Sequence, residues 1–188
     1  MRRLYKILSF LLLSLPLFTA CSESDEAING GNWAADNSRY IDSIAKVARE
    51  NPAEWRVVLA KGLNEAVEHP LEYYVYCKVI NSGTGTESPA SNDTVLINYQ
   101  GRLIDGTIFD SNYRGELNPE YETPVEIALD ECVWGFSTAM QEMVQGDIWD
   151  VYIPANLGYA DSYGAVKAAS TLIFTLNLVE SFHVGDKE

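Results

Sequence analysis

The stretch Val95–Asp110, VLINYQGRLIDGTIFD, decides how this chain is read. Val95, Ile97 and Tyr99 alternate with Leu96, Asn98 and Gln100. That period of two belongs to a strand with one buried face. Asp105-Gly106 follows, a strong hairpin signal because glycine accepts the backbone such turns require. A second short strand then delivers Phe109 and Asp110. Tyr99 and Phe109 are thereby predicted to lie on adjoining strands, with a carboxylate at the end of the second.

Downstream, a long polar loop covers 111–123 and Pro124 ends it. Val125, Ile127 and Leu129 alternate as a further strand. Phe136, Ala139, Met140 and Met143 fall at i, i+3, i+4 and i+7, one face of a short helix, and Gly146 suits its end. Trp149, Val151 and Ile153 form a strand that stops at Pro154, and a turn-rich loop spans 155–169. The last strand alternates Leu172, Phe174, Leu176 and Leu178 with Thr171, Thr175 and Asn177. Runs of strands around one amphipathic helix predict an α+β domain, an antiparallel β-sheet curled around that helix.

Upstream, a loop covers 81–93 and a strand rich in aromatic and β-branched residues covers 72–80. Two helices are predicted before it. Asn37 and Ser38 can cap the first, in which Ile41, Ile44, Ala45 and Ala48 share a face. Asn51-Pro52 can start the second, with Trp55, Val58 and Leu59 on one face and Gly62 at its end. Residues 37–71 thus read as an N-terminal helical extension. Its short apolar stripes favour docking on the domain; a homodimer through 37–65 is the other use of them.

Residues 1–20 read as a signal peptide: Arg2, Arg3 and Lys6 precede an apolar run from Ile7 to Phe18, too short to span a bilayer comfortably. The segment ends Leu17-Phe18-Thr19-Ala20-Cys21. Small residues before a cysteine resemble the lipobox of bacterial lipoproteins, which makes Cys21 a lipidation site and gives a membrane anchor. An ordinary secretory signal is the alternative. Residues 21–36 read as a flexible acidic tether. Their Ser22-Glu23-Ser24-Asp25-Glu26 run resembles signals that send lipoproteins to the outer leaflet of the outer membrane. The expected location is the cell envelope, outer membrane, on its periplasmic or its surface side.

The net charge is −14, and beyond the basic leader, with its three cations and no acid, it is −17, so nucleic acid is not an expected partner. Cys77 and Cys132 could pair in an oxidising compartment, but a strand and a helix start hold them, and two buried free thiols are expected. No CxxC occurs and the histidines are His69 and His183 alone, so no metal site is expected.

The opening stretch resembles the FKBP-type peptidyl-prolyl cis–trans isomerases, whose domains carry a similar Val-x-Val-x-Tyr-x-Gly-x-Leu-x-Asp-Gly-x-x-Phe-Asp run. Later motifs follow in the family's order: Val133-Trp134-Gly135-Phe136, Met143-x-x-Gly146, Gly158-Tyr159 and Ser170-Thr171-Leu172-Ile173-Phe174. The resemblance covers about 72–180 and implies that 72–188 form an FKBP-like domain acting on proline-containing polypeptides without a cofactor.

Carried over by position, the resemblance makes Tyr99, Phe109, Val125, Val133, Phe136 and Phe174 the walls of a pocket, with Phe136 as its floor where the family has tryptophan. Tyr159 would offer its hydroxyl and Val133 its backbone N–H to the substrate. Asp110 would stand beside the pocket, held by Tyr99 or Arg114, and Val166 would cap its mouth. Trp134, without a family counterpart, reads as a substrate-binding residue or as one that repacks the site. Val125 stands in place of an aromatic, and Val166-Lys167-Ala168-Ala169 replaces a usual Ile-Pro-Pro run. The implied function is a prolyl isomerase folding exported proteins. The alternative is an FKBP-fold lipoprotein that binds peptides or a protein with little or no turnover.

Overall fold

A computed structural model describes residues 32–183. The signal peptide, Cys21 and most of the tether lie outside the described residues. Within them the order is α1 (Trp33–Glu50), β1 (Trp55–Leu59), β2 (Tyr74–Asn81), β3 (Thr94–Arg102), β4 (Ile108–Ser111), β5 (Val125–Ala128), α2 (Trp134–Met140), β6 (Ile148–Ile153) and β7 (Leu172–Phe182).

The seven strands form one antiparallel sheet in the order β1-β2-β6-β7-β3-β4, with β5 also on β3. The opening stretch holds its centre. β3 pairs with β7 along its whole length, while β5 takes Thr94–Ile97 and β4 takes Gln100–Arg102 on its other edge. The β3–β4 turn closes on Gly106, at φ +83° and bonded to Leu103 O at 3.0 Å. An L side chain is strained there.

One face of the sheet curls around α2. Val75, Cys77, Ile97, Val151 and Leu176 meet Phe136, Ala139 and Met140 in a single buried core. Gly135 lets α2 approach β6, since a Cβ there would collide with Ile153 Cγ2. Alternate residues of β2 and β6 point the other way: Tyr74, Tyr76 and Tyr152 pack with Trp55 against Ile41, Ala45 and Ala48 of α1. Helix α1 therefore covers the opposite face of the sheet, and its apolar stripe is buried.

Two sequence expectations are corrected here. Residues 55–59 are a strand, not a second helix. Trp55, Val58 and Leu59 suit a helix by spacing, but the Trp-Arg-Val-Val-Leu run is rich in strand formers, and the edge of β2 is there to pair with, from Trp55↔Lys78 to Leu59↔Tyr74. Helix α1 also starts at Trp33, inside the predicted tether. Asn32 caps it, its side chain accepting from Ala35 N–H at 3.3 Å, and Asn37 sits in the helix interior.

Candidate active site

The curled end of the sheet, the start of α2 and the 155–171 loop enclose a cavity of about 420 Å³. Strand β3 gives it Tyr99, β4 Asp110, β5 Ile127 and β7 Phe174. The 129–133 turn gives Glu131, Cys132 and Val133, α2 gives Phe136, and the loop gives Tyr159 and Tyr163.

The apolar wall is built on edge-to-face aromatic packing. Phe174 meets Phe136 with centroids 5.2 Å apart at 84°, and meets Phe109 on its other side at 5.5 Å and 86°. Such pairs add about 0.5–1.5 kcal/mol each beyond their buried area. Gly101 makes this stack possible, because a Cβ there would lie 2.5 Å from Phe109 Cζ and 2.8 Å from Phe174 Cε1. At the mouth Tyr159 and Tyr163 stack at 4.5 Å and 11°.

The polar side of the cavity is held by named bonds. Tyr99 donates its hydroxyl to Asp110 Oδ2 at 2.9 Å. Asn112 fixes the backbone beneath: its Oδ1 accepts from Tyr99 N–H at 2.7 Å, and its Nδ2 donates to Asn98 Oδ1 at 3.0 Å and to Thr123 O at 2.9 Å. Asn98 in turn donates to Asn177 Oδ1 at 3.1 Å inside the sheet.

Burial, then the bond to Asp110, raises Tyr99 well above the ordinary tyrosine range. Burial raises Tyr159, helped by Tyr163 and Asp110. Both phenols are therefore protonated donors at neutral pH. The Cys132 thiol is pushed up to about 11 by burial first, then by Glu131 and Asp130. Asp110 and Glu131 are the acidic residues of the lining, and it holds no basic one.

Of the residues singled out from sequence, Tyr99, Asp110, Val133, Phe136, Tyr159 and Phe174 come together in this cavity. Phe109 packs edge-to-face on Phe174 and is not among the side chains lining the space. Val125 is not in the lining: it pairs with Ile97, and Ile127, two residues further along the same face of β5, takes the place in the wall. Trp134 is 41% exposed and turned away, its indole N–H donating to Lys61 O at 2.9 Å. Val166 is buried in the core rather than capping the mouth, which Tyr163 occupies at 64% exposure. Arg114 lines a separate cavity of about 400 Å³ with Gln100, Ile108 and Tyr113, so Tyr99 is the partner of Asp110. Ile127, Glu131, Cys132, Tyr163 and the supporting Asn112 were not singled out. The alternation of β5 carried a signal for Ile127; nothing local marks the others.

Residues 85–179 match the FKBP-type peptidyl-prolyl cis-trans isomerase family. Among curated proteins the chain is 35% identical over 132 residues to peptidyl-prolyl cis-trans isomerase Mip of Coxiella burnetii, covering 69% of this chain and 54% of that one. It is 32% identical to outer membrane protein MIP of Legionella longbeachae, covering 71% and 55%. It thus spans little more than half the length of these relatives. Among solved structures it resembles FkpA from Escherichia coli, at 29% identity and TM-score 0.53 over 79% of this chain and 60% of that one. A peptidyl-prolyl cis-trans isomerase from Pseudomonas syringae pv. tomato, at 24% identity and TM-score 0.58 over 80% and 96%, shares the fold.

Proposed function

This chain belongs to the FKBP-type peptidyl-prolyl cis–trans isomerases, and on that premise we propose that its cavity catalyses rotation about X-Pro bonds in polypeptides of the cell envelope. The barrier to that rotation is about 18–20 kcal/mol and comes from amide resonance. Lowering it requires no nucleophile, metal or cofactor. It requires surroundings that favour the twisted amide, in which resonance is lost and the bond is less polar, over the planar one.

The observation that carries this reading is one cavity walled by Phe136, Phe174, Tyr99 and Tyr159, with Val133 at its rim. The prolyl ring would sit on Phe136, the floor, against Phe174. The Tyr159 hydroxyl and the Val133 N–H would hold substrate carbonyls and keep the chain in its twisted geometry. Asp110, oriented by Tyr99, would present its carboxylate to the carbonyl whose polarity changes.

The test is cis-to-trans relaxation of a short Leu-Pro-Phe peptide with the full-length protein beside Tyr159→Phe. Relaxation by the wild type no faster than the uncatalysed tens to hundreds of seconds would refute the reading. Peptide binding without turnover would favour the second reading, a binding protein of the same fold, which the exposed Tyr163 supports.

We further propose that Cys21 carries lipid and anchors the protein to the outer membrane. The lipobox-like run before Cys21 and the relative named an outer membrane protein support this. Loss of membrane fractionation in Cys21→Ala tests it. For residues 37–65 we favour docking over self-association, because Ile41, Ala45 and Ala48 already pack against Trp55 and Tyr76.

A further inference from the structure

We infer that helix α1 braces the tyrosine loop at the cavity mouth, and that Asn37 is the positioning residue through which it acts. This rests on the reading of the cavity as the peptide site.

The loop between β6 and β7 carries Tyr159 and Tyr163. Its first root is Pro154–Asn156 and its second is Ala169–Thr171. The first three turns of α1 face both roots: Asn37 and Ile41 bound a space of about 210 Å³ with Ala155 on one side and Ala169 and Thr171 on the other.

Contacts to the second root are specific. Asn37 Oδ1 accepts from Thr171 N–H at 2.7 Å, across 134 residues of chain, and Thr171 Oγ1 donates to Asn37 O at 3.4 Å. Asn37 Nδ2 donates to Trp33 O at 2.8 Å. The Trp33 indole N–H donates to Ser170 Oγ at 2.9 Å, and the Lys167 ammonium lies 4.8 Å from the Trp33 ring centroid.

Asn37 is 2% exposed in the second turn of a helix. Asparagine is a poor helix former, since its amide competes for the backbone. Its place in α1 is explained by what it holds.

The loop needs holding. Ala160 and Ala169 adopt left-handed backbone, at φ 55° and 58°, and Ala169 N–H donates to Ala160 O at 3.0 Å. Non-glycine residues persist there only when their surroundings over-determine them. With α1 in place, the Ala160–Ala169 pair closes a ribbon whose Tyr163–Val166 bridge is bonded both ways at 2.9 Å. Tyr163 then stacks on Tyr159 and aims its ring over the mouth. Removing the Asn37 bonds frees the second root, and Tyr159 no longer meets a peptide pre-positioned.

Hydrogen exchange at the amides of Tyr163, Val166 and Ala169 tests this in the full chain, together with Kd and kcat for the Leu-Pro-Phe peptide. In Asn37→Ala these amides are expected to exchange about tenfold faster, with β7 amides unchanged, as a local opening requires. Kd is expected to rise about threefold or more with kcat within about twofold, because a loop that must be ordered on binding weakens the ground-state and transition-state complexes equally. Asn37→Asp keeps the acceptor for Thr171 N–H but exchanges the Nδ2 donor to Trp33 O for a carboxylate oxygen facing that carbonyl, so it is expected to restore both readouts only in part. Ala48→Gly loosens the far end of α1 and leaves the three amides at wild-type rates.

Wild-type exchange or Kd in Asn37→Ala would overturn the inference, as would equal effects from Ala48→Gly. Absence of isomerisation by the wild type would count against the catalytic reading alone, because exchange and Kd still judge the brace.

Discussion

The Tyr99 hydroxyl donates to Asp110 Oδ2 across 2.9 Å, joining β3 to β4 at the lip of the cavity. Strand pairing by itself sets Asp110 opposite Gly101; the phenol is what turns the carboxylate toward the site. The pair couples the geometry of the lip to its electrostatics, because each group fixes the other's orientation.

The pair is expected to act as a unit. Tyr99→Phe and Asp110→Asn should each lower kcat/KM by about tenfold, equivalent to about 1.4 kcal/mol, with the double variant no worse than either single one. A double-mutant cycle measures this. Additive losses would mean the two groups act separately.

Gly101→Ala is expected to damage the site through packing. The new Cβ falls 2.5 Å from Phe109 and 2.8 Å from Phe174, and both rings must shift. Overpacking of this kind destabilises by about 1–3 kcal/mol. Denaturant unfolding gives the loss, and peptide affinity should fall with it because Phe174 is a wall of the cavity.

Gly135→Ala sets two effects against each other. Alanine in a helix is better than glycine by about 1 kcal/mol. The Cβ would, however, collide with Ile153 Cγ2 on β6, and α2 cannot withdraw without opening the core. The clash is expected to win, so the melting temperature should fall rather than rise.

The thiols should report the cavity. Cys77 is wholly buried and is expected to resist a thiol reagent until the protein unfolds. Cys132 lines the cavity with its thiol pushed up to about 11. Its labelling rate should rise about tenfold per pH unit from 7 to 10. Bound peptide should slow it; labelling unaffected by peptide would place the peptide elsewhere.

Stability should fall on the alkaline side. Tyr76 and Tyr152 are each raised to about 12 by burial, and Tyr99 is raised by burial and Asp110. Above about pH 10 the unfolded chain loses phenol protons that the folded chain keeps. The contribution is fully present below that pH and disappears as pH rises through the folded values. Denaturant midpoints should be level from pH 7 to 9 in this respect and drop beyond 10, less steeply in Tyr76→Phe.

Much of the arrangement was legible in the chain. Alternation read β3, β5, β6 and β7 directly, because one face of each is buried and the pleat has a period of two. The i, i+3, i+4, i+7 spacing read α2 for the same kind of reason. Trp55–Leu59 reads as a helix from spacing alone, wrongly, because five residues with two valines fit either period, and only the open edge of β2 decided for a strand. Asn37 looked like a cap because asparagine favours caps, whereas its partner, Thr171, lies at the other end of the chain.

By itself, then, the sequence determined the order of elements from β2 to β7, the hairpin at Gly106 and the aromatic types available for a pocket. These depend on local periodicity and backbone preference, which each segment carries alone. Tertiary structure decided which side chains share the cavity. Ile127 instead of Val125, Tyr163 instead of Val166, Phe109 packed on Phe174 and Trp134 turned to Lys61 all follow from strand register and from where α1 and α2 press on the sheet. Those choices depend on contacts between residues far apart in sequence, and on volume that only the assembled core excludes.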